Sequence, residues 1–551
     1  MEHVASDALA ADFNPSSGLR GVCAGLIVCG HFFDLYAPRS IRFFGFDASL
    51  PGCDGDDAKT LGQCYPPGSL DGAYPKLTIM YVTPVALFFA ISGALFGYLY
   101  YDSFHCLDPD AGTVLRCCGG EAPAYTNQLS WCAFMSKRYR RIAPQLWASL
   151  LWLAPFFFFG TLGAFYTADI KIMDLIIAPT PLFVLQPLLL MGLEWNPIMW
   201  QVSNLFVCYM CVPTLLRWLK SEAVGRARCP TASSQHATLE LSVDGVTMLS
   251  SLLEVTGSGF WLCWAYTLVV YWLLYYTFCD AECIATSLGE MLVHMPFYTR
   301  APQFVMGFYV GVALREEELI EDLLRSGGAR LTSGGAVLRD SAHAVAAYRA
   351  ARPSAGWLRV LIVDGLFFGW LGFIVLIAIT GDGWTGATRS AAYDLDLQFW
   401  LAPLHCLWLY HAARLPAAAP AAAPVAQAYA ALTDEASPSA PSAVPSAYST
   451  AGSQPPPPPR SYAAAFLSSA PMLHLGELSY GIYICQLGAL TTVTWYHNEF
   501  SVPTLASWLP DAAASWGTFG LEVWHLAEVW LLLVGVVQLV ELLAARVAKR
   551  G

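Results

Sequence analysis

The chain has 551 residues, of which 56% are hydrophobic and only 13% charged, with a mean hydropathy of +0.48. A soluble domain carries about twice that share of charged residues, so this composition excludes an ordinary soluble globular protein. The formal net charge of −12 gives no overall basic character of the kind that marks nucleic-acid binding.

Apolar segments of membrane-spanning length recur along the whole chain. The sequence therefore predicts an all-α fold, a polytopic transmembrane helix bundle. Ten spans are predicted, at 18–36, 76–100, 142–165, 199–216, 259–278, 302–314, 357–380, 396–412, 472–494 and 521–544. The sixth is short and is expected to extend on its N-terminal side. A further apolar segment, 173–193, contains three prolines and is either interfacial or re-entrant, or an eleventh span.

Basic residues predict the orientation of the bundle. The block at 137–141 directly precedes the third span and is expected to be cytoplasmic. Alternation of the spans then places both termini in the cytoplasm, together with about three-quarters of the 29 lysine and arginine residues. An eleventh crossing at 173–193 would move the basic segment 217–228 outside. The expected location is integral and multi-pass, in the plasma membrane or an endomembrane.

One low-complexity segment divides the bundle. Residues 415–461 are rich in Ala, Pro and Ser and end near a run of five prolines. This composition predicts a disordered or polyproline-type linker on the cytoplasmic side, with docking of a proline-reading domain as the alternative. Spans one to eight then lie in residues 1–414, and spans nine and ten of the same bundle in 462–551.

Arg20 and His31 bracket most of the first span. Eleven steps of about 100° make roughly three turns, so both side chains share one helix face, about 16 Å apart along the axis. Ionisable groups within a bilayer are costly and are functional candidates for that reason. The alternative for His31 is a hydrogen-bonded polar residue inside the bundle. His405 is a second intramembrane histidine, and it is expected to be buried and hydrogen-bonded.

Two further motifs carry chemistry or packing. Ser92 and Gly93 are small residues in an aromatic and aliphatic helix, where close helix approach is the first interpretation. Arg138 and Arg141 lie three residues apart on one helical face. Two guanidinium groups at that spacing can clamp a polyanion such as a pyrophosphate, although basic residues also flank cytoplasmic helix ends for topological reasons alone.

Taken in order, these motifs resemble the membrane acyltransferase 3 family, which O-acylates carbohydrates and other acceptors. The resemblance covers residues 19–486. It rests on Arg20-x10-His31, LFFAISGALFGY, Arg138-Tyr-Arg-Arg141-Ile-Ala-Pro, Trp200-Gln-Val-Ser203, Arg300-Ala-Pro-Gln-Phe and LGELSYGIYICQ. Two positions depart from the family pattern. Asn204 and Leu205 follow Ser203 where a glutamate is usual, and Gln486 stands where the late helix usually ends in histidine.

The resemblance implies the residue roles. His31 would be the general base or an acyl-relay nucleophile, and Arg20 would polarise the thioester or pair with phosphate. Arg138 and Arg141 would hold the phosphates of coenzyme A (CoA). The pocket would be lined by Ser92, Trp200, Ser203, Arg300, Tyr480 and Gln486. No metal and no permanently bound cofactor are expected. The expected partners are acyl-CoA as donor, a hydroxyl-bearing carbohydrate or lipid-linked acceptor, and the lipid bilayer.

Two other functions fit parts of the sequence. Polar groups in a bundle core also serve a small-solute transporter or channel, and the two departures would suit a family member that no longer catalyses. A different membrane-bound O-acyltransferase architecture would centre on His405, but it leaves Arg20-x10-His31 unexplained.

Overall fold

The structure is a computed structural model, and it describes about half of the chain. The described residues are 14–35, 82–101, 131–158, 177–185, 196, 198–226, 239–242, 259–270, 273, 297–326, 329–333, 336–338, 356–380, 401–415, 461–500 and 510–548. Most of the linker predicted at 415–461 lies outside them.

Eleven α-helices make up most of the described residues. In chain order they are α1 Asn14–Leu35, α2 Val82–Leu99, α3 Trp131–Phe158, α4 Met199–Arg226, α5 Gly259–Val270, α6 Phe297–Ser326, α7 Gly356–Thr380, α8 Ala402–Ala412, α9 Tyr462–Leu467, α10 Ala470–Phe500 and α11 Pro510–Ala548. Each of the ten predicted spans overlaps one of these helices in the described residues, and α9 is the additional one.

The predicted helical class is confirmed, with one addition. Three short strands, β1 Leu239–Ser242, β2 Ala329–Ser333 and β3 Ala336–Leu338, form a small sheet in the order β1-β2-β3. The β1–β2 pair is parallel and the β2–β3 pair is antiparallel. The strands lie in polar connections between spans, where hydropathy carries no span signal.

Two helices begin well before the predicted spans. Helix α3 starts at Trp131, so the basic block at 137–141 lies inside the helix and not before it. Helix α6 starts at Phe297, as expected for a short sixth span, and also continues to Ser326. Hydropathy marks only the apolar part of a helix, whereas Lys, Arg and Glu extend a helix readily into water.

Four helices have the apolar character of membrane segments. Met199–Leu216 in α4 and Trp524–Val547 in α11 are long and apolar enough to cross a membrane by length and composition. Pro84–Leu99 and Gly259–Val270 are shorter apolar helices. These segments are compatible with a multi-pass membrane location.

Helices α2 and α6 cross at reciprocal glycines. A Cβ placed on Gly93 would clash with the backbone of Phe304, and one placed on Gly307 would clash with the backbone of Ala90. The predicted packing role of Gly93 is therefore confirmed. Small residues four apart on both helices allow the backbones to touch, as in membrane helix pairs.

Three helix pairs run parallel. Gly21 and His31 of α1 lie against Gly476 and Gln486 of α10, in the same chain order. Likewise, Gly93 and Gly97 of α2 meet Phe304 and Phe308 of α6. Between α3 and α10, the Ser149 hydroxyl donates to the Ile484 carbonyl (2.8 Å). Further along both of these helices, the Trp152 indole donates to the Thr492 hydroxyl (2.9 Å).

Parallel packing constrains the number of crossings. In a bundle that crosses a membrane, two spans are parallel when an odd number of crossings lies between them along the chain. Ten alternating spans satisfy this for all three pairs, whereas a single extra crossing at 173–193 would make each pair antiparallel. Within the described residues 177–185, the chain forms turns and a 3-10 helix, Pro181–Leu185. Both observations are compatible with the predicted ten spans, and residues 173–176 and 186–193 lie outside the described residues.

Asp364 of α7 anchors the chain where it re-enters the bundle after residue 460. Its carboxylate accepts hydrogen bonds from the Ser461 hydroxyl (2.6 Å) and from the backbone N–H groups of Tyr462 (3.1 Å) and Ala463 (2.9 Å). These N–H groups belong to the first turn of α9, where a carboxylate is favoured. The contact ties α9 to the first eight spans.

Candidate functional site

A pocket of about 500 Å³ lies at one end of the bundle, where α1, α3 and α10 begin and α2 and α11 end. This volume lies within the range that holds small ligands and cofactors. Its lining is Arg20, Phe88, Ser92, Leu95, Phe96, Arg138, Arg141, Ile142, Gln145, Leu205, Tyr209, His474, Glu477, Leu478, Ser479, Tyr480, Gln538, Glu541 and Leu542.

Arg138 is held by aromatic rings on one side of the pocket. Its guanidinium carbon lies 4.7 Å from the ring centre of Phe96, 4.9 Å from that of Tyr100 and 5.7 Å from that of Phe134. Such cation–π contacts fix the position of the guanidinium without using its N–H donors. Burial lowers the pKa of Arg138 to about 10, so it remains positively charged at neutral pH and is available to bind an anion.

Arg20 and Arg141 complete a cationic wall. The Arg20 guanidinium donates to the Ser17 hydroxyl (2.9 Å). Arg141 is close enough to both Arg20 and Arg138 to repel them, and Glu477 lies near Arg20 as an opposite charge. Three guanidinium groups around one pocket form a site suited to an anion with several oxygens, because each can offer paired N–H donors.

His31 lies deeper in the bundle, beyond the lining of this pocket. Its imidazole neighbours the side chain of Gln486 on α10, and Gln486 is fully buried. Because Gly21 contacts Gly476 and His31 contacts Gln486, the face shared by Arg20 and His31 is turned toward α10. Gln486, the residue that departs from the expected histidine, therefore lies next to His31.

Arg300 is almost completely buried, and it lies in a polar layer apart from the pocket. Its guanidinium carbon lies 5.6 Å from a Trp200 ring centre, and Tyr483 is within electrostatic range. Ser203 is also buried, and its hydroxyl donates to the Met199 carbonyl within α4 (2.9 Å). Arg300, Trp200 and Tyr483 thus lie together where α4, α6 and α10 meet.

The predicted site residues thus fall into two groups. The lining of the pocket includes Arg20, Ser92, Arg138, Arg141 and Tyr480. It does not include His31, Trp200, Ser203, Arg300 and Gln486.

His405 lies elsewhere, at an apolar pocket of about 280 Å³ bordered by α1, α2, α7 and α8. Its Nδ1 atom is buried with no hydrogen-bond partner in the described part of the chain. The expected burial is therefore observed for this atom, whereas the expected hydrogen bond is not. Nothing acidic or cationic accompanies His405 in that pocket lining, so the geometry favours the arginine pocket as the site.

Several residues of the pocket lining are not predicted from the sequence, among them Gln145, Tyr209 and Glu541. Gln145 lies one turn after Arg141 in α3, and Glu541 is a carboxylate within the last predicted span. Both are polar residues in apolar segments, and this polarity could have marked them as candidates. Tyr209 had no such signal, because an aromatic residue in an apolar helix is usually core. It lies near Arg20, Arg138 and Ser92. Across the described ranges, no group of three or more His, Cys, Asp or Glu residues is placed to hold a metal ion.

Comparison with known families identifies the chain. A family model for an acyltransferase domain matches residues 16–418. The chain belongs to the membrane acyltransferase 3 family. The match contains Arg20, His31, Arg138 and Arg141, and it ends before α9, so Tyr480 and Gln486 lie outside it. No curated protein and no solved structure matches the chain.

Proposed function

We propose that this protein is an integral membrane O-acyltransferase that moves an acyl group, acetyl in the simplest case, from acyl-CoA to a hydroxyl of a carbohydrate or other small acceptor. Family membership supports acyltransferase activity in general. The observation that supports acyl-CoA as the donor is the cationic wall, formed by Arg20, Arg138 and Arg141 in one pocket. In the proposed ten-span orientation, this pocket faces the cytoplasm.

The cationic wall suits the phosphates of CoA. A pyrophosphate presents several acceptor oxygens, and guanidinium groups bind such groups through paired N–H donors. Arg138 is already positioned by three aromatic rings, so little side-chain entropy is lost on binding. The acyl end of the donor would then extend inward along the α1–α10 contact toward His31.

His31 is proposed to act as the general base. A neutral imidazole takes the proton of the acceptor hydroxyl as its oxygen attacks the thioester carbonyl. The new C–O bond forms and the C–S bond breaks, and the CoA sulfur leaves with a proton returned by the imidazolium. The adjacent Gln486 amide orients the ring but does not titrate, so one base serves both proton transfers.

Arg138→Ala is expected to raise the KM for acetyl-CoA about tenfold or more while changing kcat little. The substitution removes a charge-assisted hydrogen bond worth about 1.5–3 kcal/mol, and that interaction is made equally in the ground and transition states. Arg138→Lys should recover only part of the affinity, because it keeps the charge but loses the fork of donors.

Initial rates at varied acetyl-CoA concentration measure this effect. Arg140→Ala is the matched control, because Arg140 belongs to the same basic block but is not in the pocket lining. A normal KM in Arg138→Ala, or an equal increase in Arg140→Ala, would show that Arg138 does not hold the donor.

A further inference from the structure

Another part of the pocket lining offers hydrogen-bond acceptors. It is built by α10 and α11, which lie outside the residues matched by the family model, and it carries the carboxylates Glu477 and Glu541. A pocket lined by both guanidinium groups and carboxylates suits a ligand that has both anionic oxygens and N–H or O–H donors. A simple inorganic anion would bind the guanidinium groups and leave the carboxylates unused.

Gln145 links the arginine-bearing helix α3 to Glu541 of α11. It is 4% exposed and lines the pocket one turn beyond Arg141. Its side-chain Nε2 donates to the Glu541 carboxylate, while its Oε1 is buried and accepts no hydrogen bond from the described part of the chain. A buried amide oxygen without a donor costs free energy, and such an atom in a pocket marks a place for a ligand donor.

We infer that Gln145 and Glu541 form a subsite for the exocyclic amine of a nucleotide base, which is adenine if the donor is acyl-CoA. The inference rests on the proposed function for the choice of nucleotide. An exocyclic amine has two N–H donors, which the Gln145 Oε1 atom and a carboxylate oxygen of Glu541 would accept together. Amide and carboxylate side chains recognise base amines in this way in nucleic-acid complexes.

The experiment compares two nucleotides that differ only at the C6 substituent and the adjacent N1 of the base, which is an acceptor in adenine and an N–H in hypoxanthine. Adenosine 3′,5′-bisphosphate carries the amine, and inosine 3′,5′-bisphosphate carries a carbonyl that would face the two acceptors. Dissociation constants are measured by calorimetry on the purified full-length protein in detergent. A site that hydrogen-bonds a donor rejects the analogue that lacks it, so the adenine nucleotide should bind about 10–100-fold more tightly.

Glu541→Gln tests the assignment with little change in shape. The glutamine can itself donate to the inosine carbonyl, so the preference for adenine should fall to near unity. Glu528→Gln is the matched control on the same helix. Glu528 accepts from the Trp524 indole (2.8 Å) and is not in the pocket lining, so this variant should keep the full preference.

The outcomes separate this inference from the proposed function. Equal binding of the two nucleotides by the wild-type protein, or an undiminished preference in Glu541→Gln, would overturn the amine subsite while leaving acyl-CoA as the donor. Failure of the wild-type protein to bind acetyl-CoA at all would overturn both. Arg138→Ala should weaken both nucleotides by the same factor and leave their ratio unchanged.

Discussion

His31→Ala is expected to lower acyl transfer by about 10²–10⁴-fold, because it removes the group that accepts the proton of the attacking hydroxyl. That loss corresponds to roughly 3–5 kcal/mol of transition-state stabilisation. Binding of acetyl-CoA should stay close to wild type, because His31 lies deeper than the pocket that holds the arginines. Turnover with labelled acetyl-CoA tests the expected loss of rate, and calorimetry on the same preparation tests whether acetyl-CoA binding is unchanged.

His405→Ala is the matched control for this prediction. It also replaces a histidine inside a predicted span, but one that lies in a separate apolar pocket. Its turnover should remain near that of the wild-type protein. Near-normal turnover in His31→Ala combined with inactivity in His405→Ala would move the reaction centre to α8 and support the rival O-acyltransferase architecture.

Gly307→Val is expected to destabilise the bundle by about 3 kcal/mol, at the upper end of the cost of overpacking a tight core. A Cβ at this position would overlap the Ala90 carbonyl. The clash is with backbone, so rotation of a side chain does not relieve it, and α2 and α6 must separate. A marked fall in the thermal unfolding midpoint in detergent, together with loss of the monodisperse form, should report this.

Gly535→Val provides the comparison for Gly307→Val. The substitution is chemically identical and also lies in a long helix, but a Cβ at Gly535 meets nothing within 4 Å. The unfolding midpoint should change little, since exposed helix positions tolerate such changes within about 1 kcal/mol. Equal destabilisation by the two substitutions would mean that the α2–α6 contact is not what makes Gly307 sensitive.

The sequence predicted the helical segments well because each needs a long apolar run to bury its backbone in lipid or protein. Hydropathy did not predict that α3 begins at Trp131 or that α6 continues to Ser326, because charged helical turns carry no apolar signal. The directions of the helix pairs needed the structure, and they bear on the number of crossings more directly than the basic residues do.

The pocket residues were predictable where a charged side chain is unusual in an apolar chain, and the family motifs also predicted Ser92 and Tyr480. Arg20, Arg138 and Arg141 are charged residues within or next to predicted spans, and the structure brings them to one pocket. Trp200, Ser203 and Arg300 follow from motif resemblance, and the structure places them in a different layer. Tyr209 was missed because its importance comes from its neighbours on α1, α2 and α3, which a sequence pattern does not show.

Acyl transfer from acyl-CoA is tested by following the acetyl group and the CoA of the donor separately. Purified protein in lipid vesicles is given acetyl-CoA labelled in the acetyl group together with a panel of carbohydrate acceptors, and free CoA and acetylated product are quantified. The proposed function predicts equal amounts of both, with loss in Arg138→Ala at low donor concentration and in His31→Ala at any concentration. Intact acetyl-CoA after prolonged incubation, with protein-dependent flux of small solutes into the vesicles, would contradict it and indicate a transporter.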